Sequence, residues 1–409
     1  MTSSYRMPGL VVTDHTIDVP LDHSEPAGQQ IAVFARVVAD PDGQDRPFLV
    51  FLQGGPGFEA PRPTGVPHSP GWLERALADY RVVMLDQRGT GRSTPIHDVA
   101  GWGPAEQASY LTHFRADAIV RDAEAMRAHL GAEKWSVLGQ SFGGFTLLAY
   151  LSQAPEGLRE AMFTGGLAAI GPRIDDVYRT TYSRVIDRCE RFYARYPGDR
   201  DRVRAVHDAI DAGITLPSGD RLTARRFRMV GQQLGASDGA ERLHYLLELD
   251  PRSAAFAHDV EGTVAWGRNP LYALVHEACW ADGGVTRWSA QRVQPDAYSD
   301  PTLFTGEHVF PWMFDDIGAL GCYRDAARLL AEQPWPRLYD EERLAANEVP
   351  AAAAIYAHDM YVPREFSEPS AAAVRGLRPW LTSEFEHDGL RAAGDRILGR
   401  LIDLVRDRA

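Results

Sequence analysis

The 409-residue sequence predicts an α/β fold in which a mostly parallel sheet carries a large helical insertion. Three apolar runs each end in a turn-forming, glycine-containing segment: Pro47–Gln53, Tyr80–Asp86 and Trp135–Gly139. A continuous apolar run of this length is typical of a strand buried on both faces, as in a parallel sheet. Between the last two runs, the apolar residues of Phe114–Leu130 recur at helical spacing. Strands that alternate with helices indicate a parallel sheet with helical crossovers.

The flanking segments complete this architecture. Leu10–Val19 and Gln30–Val38 alternate in polarity around a polar, Pro-containing turn, which predicts an antiparallel pair. After about Gly171 the apolar residues follow helical spacing and strand-like runs are scarce, so we expect a helical cap domain over residues 171–335. Four tryptophans are candidates for its core: Trp266, Trp280, Trp288 and Trp312.

The sheet pattern resumes after the insertion. Val349–Tyr356 and Leu377–Phe385 are the last two predicted strands, and Arg391–Arg406 is a predicted amphipathic helix. We therefore predict a main domain in two parts, residues 1–170 and 336–409, separated by the cap.

Composition narrows the function classes. Lys and Arg number 43 against 56 Asp and Glu, a net charge of −13 that argues against a general nucleic-acid or anionic-membrane binder. No apolar run approaches the roughly 18 residues of a membrane helix, and the first residues do not resemble a secretory signal. Cys189, Cys279 and Cys322 fit neither a zinc pattern nor a disulfide framework. We expect a cytoplasmic protein without metal or cofactor.

Gly139-Gln140-Ser141-Phe142-Gly143 is a G-x-S-x-G segment placed between a predicted strand and a predicted helix. A sharp strand-to-helix turn exposes a serine hydroxyl, and the first N–H groups of the helix point to the space beside it. We predict Ser141 as a nucleophile and the N–H of Phe142 as one donor to a developing oxyanion. The alternative is a glycine-rich turn with a passive serine.

A serine nucleophile needs a base, and the base needs an orienting carboxylate. Asp359 and His387 each follow one of the last two predicted strands, and the order Ser, Asp, His is that of α/β hydrolases. His358 and Asp388 are adjacent competitors; Asp359 is preferred because His358 would face the opposite side of an extended strand. His276 and His308 lie in the helical insertion, and we expect neither to be the base.

The second oxyanion donor is expected from the loop that follows the first buried strand. Gln53-Gly54-Gly55-Pro56-Gly57 occupies that place, and glycine lets a backbone N–H approach a substrate oxygen without interference from a Cβ atom.

Four segments together resemble the proline iminopeptidases, serine peptidases of the α/β-hydrolase fold with a helical cap: GGPG, DQRGTGRS, GQSFGG and EHDG. The segments LVHEACW, TGEHVFPWMF and AIYAHDMYVP look like the longer-chain branch of that family. The resemblance implies Ser141 as nucleophile, Asp359 as orienting acid, His387 as base, and the N–H groups of Gly55 and Phe142 as oxyanion donors. Gln53 is a departure, because many relatives have His there.

An enzyme that removes only the first residue must recognise a free amine, and carboxylates are its natural acceptors. Glu277 and Glu307 lie in aromatic segments of the cap and match the family's substrate-binding glutamates best. The alternative is that both acids are bonded within the cap. The apolar ring of proline would need an aromatic wall, for which Phe142, Trp280 and Phe310 are candidates.

The sequence thus predicts a serine exopeptidase that releases N-terminal proline, and other small residues in some cases, from small peptides. The alternative enzyme is a broader α/β hydrolase, such as an esterase or a peptidase that removes longer N-terminal pieces. A hydrolase fold without activity that serves as a binding module is disfavoured, because all three triad residue types are present.

Overall fold

A computed structural model describes residues 2–171 and 173–408 of the chain. Nine strands form one sheet: β1 (Thr2–Met7), β2 (Leu10–Pro20), β3 (Gln30–Ala39), β4 (Phe48–Leu52), β5 (Arg81–Asp86), β6 (Trp135–Gln140), β7 (Leu158–Thr164), β8 (Ala351–Tyr356) and β9 (Leu377–Thr382). Their spatial order is β1-β2-β3-β5-β4-β6-β7-β8-β9. The six strands β4 to β9 run parallel to one another, whereas β1, β2 and β3 are antiparallel to their neighbours. The predicted, mostly parallel sheet and its antiparallel N-terminal pair are confirmed.

The parallel strands end at one level, which is what assembles a site. Leu52 lies opposite Gly139, Gln140 opposite Thr164, and Tyr356 opposite Thr382. Because the carboxyl ends of parallel strands share one edge, the loops after β4, β6, β7, β8 and β9 meet there.

The helices cover both faces of the sheet and build the insertion. Their bounds are α1 (Leu73–Leu77), α2 (Pro104–Leu111), α3 (Ala116–His129), α4 (Phe142–Gln153), α5 (Ile174–Arg195), α6 (Asp199–Ala212), α7 (Ala224–Phe227), α8 (Gly239–Glu248), α9 (Ala254–Val264), α10 (Pro270–Trp280), α11 (Ser289–Arg292), α12 (Met313–Asp316), α13 (Arg324–Ala331), α14 (Glu341–Ala345), α15 (Arg364–Ala373), α16 (Gly389–Ala392) and α17 (Gly394–Val405). Between β7 and β8 the described residues form helices and loops with isolated bridges only, as the helical texture of the sequence predicts.

The C-terminal helix differs from the prediction. Arg391–Arg406 was predicted as one helix, but α16 ends at Ala392 and α17 begins at Gly394. Ala393 between them has an extended φ of −149°. The break brings Gly394 against the Trp72 backbone, where a Cβ atom would lie 2.6 Å from the Trp72 nitrogen.

Two apolar cores flank the sheet. One joins the cap to the sheet face covered by α3 and α4; the other lies under α1 and α17. Trp266 and Trp280 are buried in the first core as predicted, but Trp288 and Trp312 are only half-buried at its margin. The three cysteines are free thiols, and Cys322 is exposed.

The segment DQRGTGRS, which follows β5, stabilises the fold. Asp86 accepts hydrogen bonds from the Arg62 guanidinium and from the backbone N–H groups of Ala60 and Arg92. Arg88 is fully buried and forms a bidentate ion pair with Asp122, with both N–O distances at 2.6 Å. A buried ion pair offsets the cost of desolvation only when its hydrogen bonds are well aligned, as they are here. The pair therefore fixes the position of the loop.

Candidate active site

Ser141 occupies the sharp turn between β6 and α4. Its backbone has φ 53° and ψ −125°, a conformation that side chains other than glycine rarely adopt. The turn is held by two hydrogen bonds, from Ser141 N–H to the Thr164 carbonyl (3.0 Å) and from Gly144 N–H to the Ser141 carbonyl (2.7 Å). A strained residue that its surroundings hold this firmly is typical of functional sites.

The glycines around Ser141 are required by close packing. A Cβ atom at Gly143 would lie 1.9 Å from the Leu52 carbonyl oxygen, and one at Gly139 would lie 2.5 Å from the Gly143 oxygen. A Cβ atom at Gly144 would meet the Gly166 oxygen at 2.4 Å. Helix α4 therefore approaches β4, β6 and the loop after β7 more closely than any larger residue permits, and this approach lifts Ser141 to the edge of the sheet.

His387 and Asp359 meet at that edge. The Nδ1 atom of His387 lies 2.7 Å from Oδ2 of Asp359, and both side chains are buried. The other oxygen of Asp359 accepts hydrogen bonds from the N–H groups of Tyr361 (2.8 Å) and Val362 (3.0 Å). Burial alone would lower the pKa of His387, but the charge and hydrogen bond of Asp359 outweigh it, and the pKa is raised.

Gly165 and Gly166, which follow β7, place the serine and the histidine close together. A Cβ atom at Gly165 would lie 3.2 Å from His387 Nδ1, and one at Gly166 would lie 2.5 Å from the Ser141 carbonyl oxygen. Gly165 thus lies against His387, and the next residue, Gly166, lies against Ser141. The structure brings the three predicted triad residues to one edge of the sheet.

The two competing candidates, Asp388 and His358, lie in other surroundings. Asp388 accepts hydrogen bonds from Ser237 and forms an ion pair with Arg391. His358 is half-buried, and burial together with nearby arginines lowers its pKa.

The loop after β4 lies directly on Ser141. A Cβ atom at Gly54 would come 2.9 Å from Ser141 Cβ and 3.5 Å from its Oγ. The N–H of Gly54 donates to the side-chain oxygen of Gln53 (3.2 Å), whose own carbonyl accepts from Gln87 (2.9 Å). Gln53 therefore holds this loop in place, while Gly55 follows at φ 128°. Phe142 begins α4, so its N–H has no partner within the helix.

A small cavity lies near the histidine, on the other side of Tyr361. It is lined by Val177, Tyr178, Thr181, His276, Trp280, Glu307, Met360 and Tyr361. The ring of Tyr361 stands edge-on to that of His387, with centroids 5.0 Å apart. Trp280 packs at 4.5 Å on Phe145, which in turn packs on Phe142 beside the serine. Phe310, the other candidate for an aromatic wall, stacks on Trp312 instead.

Glu307 provides a carboxyl group to this cavity. Burial raises its pKa to about 7; among the smaller effects, the charge of His387 lowers the pKa and that of Asp359 raises it. These two influences place Glu307 within electrostatic reach of the histidine–aspartate pair. A carboxyl group in such surroundings would be stabilised in its ionised form by a bound cation.

Glu277 has different surroundings. Its two oxygens accept hydrogen bonds from the N–H groups of Ser289 (3.0 Å) and Ala290 (2.9 Å), and burial raises its pKa to about 7. It is not among the residues that line the cavity of Glu307. Consecutive helical residues point about 100° apart, so α10 can present His276 and Trp280, four residues apart, to the cavity but turns Glu277 away.

The sequence analysis did not identify four polar side chains of the cavity: Tyr178, Thr181, His276 and Tyr361. His276 directly precedes Glu277 in LVHEACW, so the segment was identified but the residue that faces the cavity was not.

Other kinds of site find no support in the part of the chain that is described. Across residues 2–171 and 173–408, no helix has the length and apolarity needed to cross a membrane. The same residues contain no group of three or more His, Cys, Asp or Glu side chains placed to hold a metal ion.

Comparisons with known proteins identify the family of the chain. The family model for the alpha/beta hydrolase fold matches residues 47–255. A proline iminopeptidase of Aeromonas sobria is 44% identical over 424 residues, covering 98% of each chain. A proline iminopeptidase of Aspergillus aculeatus is 32% identical and covers 96% of this chain and 93% of its own. The fold and the serine at the strand-to-helix turn are those of an α/β hydrolase. Within that class the chain belongs to the proline iminopeptidase family, which confirms the resemblance found in the sequence motifs.

Proposed function

We propose that this protein is a serine exopeptidase that releases an N-terminal proline from small peptides. The observation that carries the proposal is the small cavity with Glu307 near the His387–Asp359 pair. A small cavity that contains a carboxylate and lies near the catalytic histidine can select a substrate by its first residue and its free amine. Membership of the proline iminopeptidase family supports the same reaction.

Each catalytic residue has a separate role in the reaction. Ser141 Oγ attacks the carbonyl carbon of the first residue while His387 accepts its proton, and Asp359 holds the imidazole in the required tautomer. The N–H groups of Gly55 and Phe142 stabilise the negative oxygen of the tetrahedral intermediate. His387 then donates the proton to the departing amine, and water, activated by the same histidine, hydrolyses the prolyl-serine ester.

Glu307 supplies the recognition of the amine. Its carboxylate accepts a charge-assisted hydrogen bond from the substrate's ammonium group, and Trp280 and Met360 contact the apolar ring. Glu277 acts within the cap, where it binds the N–H groups at the start of α11. Of the two acids singled out in the sequence, we therefore assign substrate binding to Glu307.

The domain division fits this mechanism. We propose that residues 1–170 and 336–409 carry the catalytic groups and that the cap, residues 171–335, supplies the cavity. The turn to helical structure after β7 and the return to the sheet at β8 support these boundaries. Three free thiols are consistent with action on peptides in the reducing cytoplasm.

A panel of aminoacyl-β-naphthylamides tests the substrate class. We expect a large preference for the prolyl compound and poor cleavage of its N-acetylated form, because acetylation removes the ammonium. Equal cleavage of prolyl and acetyl-prolyl compounds would contradict recognition of the amine and favour an esterase or a peptidase that removes longer pieces.

Glu307→Gln and Glu277→Gln form a matched pair of variants. Glu307→Gln should lower kcat/KM for prolyl-β-naphthylamide by an amount equivalent to about 2–5 kcal/mol, since it leaves a buried ammonium without its carboxylate. Glu277→Gln should affect thermal stability more than the discrimination between prolyl and acetyl-prolyl substrates. If the two variants lose discrimination equally, the assignment of Glu307 alone is wrong.

A further inference from the structure

His276 is a buried polar side chain for which the fold supplies no partner. It lies on α10, is 2% exposed, and lines the cavity of Glu307. Neither of its ring nitrogens reaches a hydrogen-bond partner among the described residues. Buried polar groups are nearly always satisfied in proteins, so an exception that faces a cavity beside a catalytic centre calls for a ligand.

The chemistry of proline supplies the missing partner. An N-terminal proline is a secondary ammonium with two N–H donors, and both are desolvated when its ring enters the cavity. Glu307 accepts one of them in the function proposed above. The Glu277 oxygens already accept two backbone N–H groups and lie outside the cavity, so the second acceptor must be sought elsewhere.

Resting on the proposed function, we infer that a ring nitrogen of His276 accepts the second N–H of the substrate's N-terminal ammonium. The site thus consists of a carboxylate and an imidazole that line the same cavity, and it is specific for a secondary ammonium within a small ring.

The protonation state of the ring fits this role. Burial lowers the pKa of His276 to about 4, so the imidazole is neutral at pH 7 and one of its nitrogens carries a free lone pair. The backbone of Glu307 lies close enough to raise that pKa, as an acceptor would, although it does not form a hydrogen bond of normal geometry with the ring. If the imidazole N–H of His276 points to the Glu307 backbone, the other ring nitrogen is left as the acceptor.

Tyr178 is the rival residue. Tyr178 lines the same cavity, and its buried hydroxyl likewise has no hydrogen-bond partner among the described residues. A neutral imidazole nitrogen is the stronger acceptor for a cation, whereas a phenol is primarily a donor. Comparison of variants at the two positions decides between them.

The test compares two substrates that differ in one ring atom. Prolyl-β-naphthylamide carries the ammonium, and tetrahydrofuran-2-carbonyl-β-naphthylamide has an ether oxygen in its place. His276→Leu should reduce the ratio of their kcat/KM values by roughly 10- to 100-fold, the range for a hydrogen bond to a charged group. The loss should appear mainly in KM, and His276→Gln, which retains an acceptor, should restore part of it.

His308→Leu is the matched control. His308 is also a buried cap histidine, but its nitrogens are paired with Thr181 Oγ1 (3.0 Å) and Gly306 N–H (3.3 Å), and it does not line the cavity. It should lower the melting temperature and leave the substrate ratio unchanged. His276→Leu should not lower the melting temperature, because it removes a polar group that is unsatisfied in the free protein.

The outcomes separate the two proposals. If the parent enzyme shows no preference for the prolyl compound, the proposed function fails and this inference fails with it. If the parent shows the preference and His276→Leu keeps the parental ratio, this inference alone is overturned. A reduced ratio in Tyr178→Phe combined with a parental ratio in His276→Leu would assign the second acceptor to Tyr178 and also overturn it.

Discussion

Ser141 is 8% exposed and holds a backbone conformation that costs energy, and both features follow from its place at the strand-to-helix turn. We expect Ser141→Ala and His387→Ala to reduce turnover of prolyl-β-naphthylamide by about 10⁴- to 10⁶-fold, because each removes a group that acts in the same step. Asp359→Asn should cost somewhat less. Circular dichroism should show a retained fold. Turnover within tenfold of the parent in folded Ser141→Ala would refute its assignment as nucleophile.

His387 determines the pH dependence of the reaction. Burial would lower its pKa, but Asp359 raises it by charge and hydrogen bond, so the pKa lies above the usual 6.5. The base must be neutral, so kcat/KM for an uncharged ester should fall as the pH drops through this raised pKa. Asp359→Asn removes the charge and should move the midpoint to lower pH. Initial-rate assays between about pH 5 and 9 measure the pH profiles of the parent and of Asp359→Asn.

Glu307 offers an internal check on that profile. Its charge also raises the pKa of His387, after the larger contributions of Asp359. Glu307→Gln should therefore shift the ester midpoint in the same direction by a smaller amount, and Glu277→Gln should not shift it. An unchanged midpoint in Asp359→Asn would contradict the electrostatic account of the histidine.

The sequence predicted the triad residues and missed the histidine of the cavity for one physical reason. In a parallel sheet, residues that follow the strands are directed to a common edge, so Ser141, Asp359 and His387 could be predicted from their places after three predicted strands. No comparable rule says which residues of a helical insertion face the site. Helical spacing indicates that His276 and Glu277 face different directions, but only the packing of α10 shows which of them faces the cavity.

At the scale of elements, the approach of α4 to β4 is the feature on which the site depends. Gly143→Ala should abolish activity and lower the melting temperature strongly, because its Cβ would lie 1.9 Å from the Leu52 oxygen, which is fixed in the sheet. Gly262→Ala is the control: it makes the same change at an exposed position of helix α9, where a Cβ atom meets nothing within 4 Å. That variant should gain about 0.5–1 kcal/mol of stability. Scanning calorimetry and prolyl-β-naphthylamide assays compare the two, and an active Gly143→Ala would contradict the packing argument.

The sequence patterns did not predict two of the strands, β1 and β7. β1 is exposed along most of its length and pairs only with β2, so it has no apolar signature. β7 carries Glu160, whose side chain is buried and accepts hydrogen bonds from Tyr80 and Ser136 (both 2.6 Å) and from Arg406 (2.9 Å). A buried charge interrupts the apolar run that marks the other parallel strands, and its partners are far away in sequence.

At the scale of the whole molecule, the cap and the sheet share one apolar core although they are separate in sequence. Trp280 of the cap packs on Phe145 of α4, and Tyr272 of the cap packs on Phe58 in the loop after the Gly54–Gly55 turn. The same core continues from the sheet face into the cap helices. The cap is thus a wall of the cavity whose position depends on the catalytic domain beneath it.

We therefore predict that the cap and the catalytic domain unfold together. Thermal unfolding should give a single calorimetric transition with equal calorimetric and van't Hoff enthalpies, since neither part keeps its core when the other is lost. Tryptophan fluorescence reports on both parts, because five of the nine tryptophans lie in residues 171–335 and four lie outside them. Its folded signal should be lost at the temperature at which fluorophosphonate labelling of Ser141 is lost. Trp280→Ala, which opens a gap at the shared core, should move both signals to lower temperature by the same amount. Two resolved transitions, or a labelling loss well below the fluorescence change, would contradict a shared core and favour a cap that folds by itself.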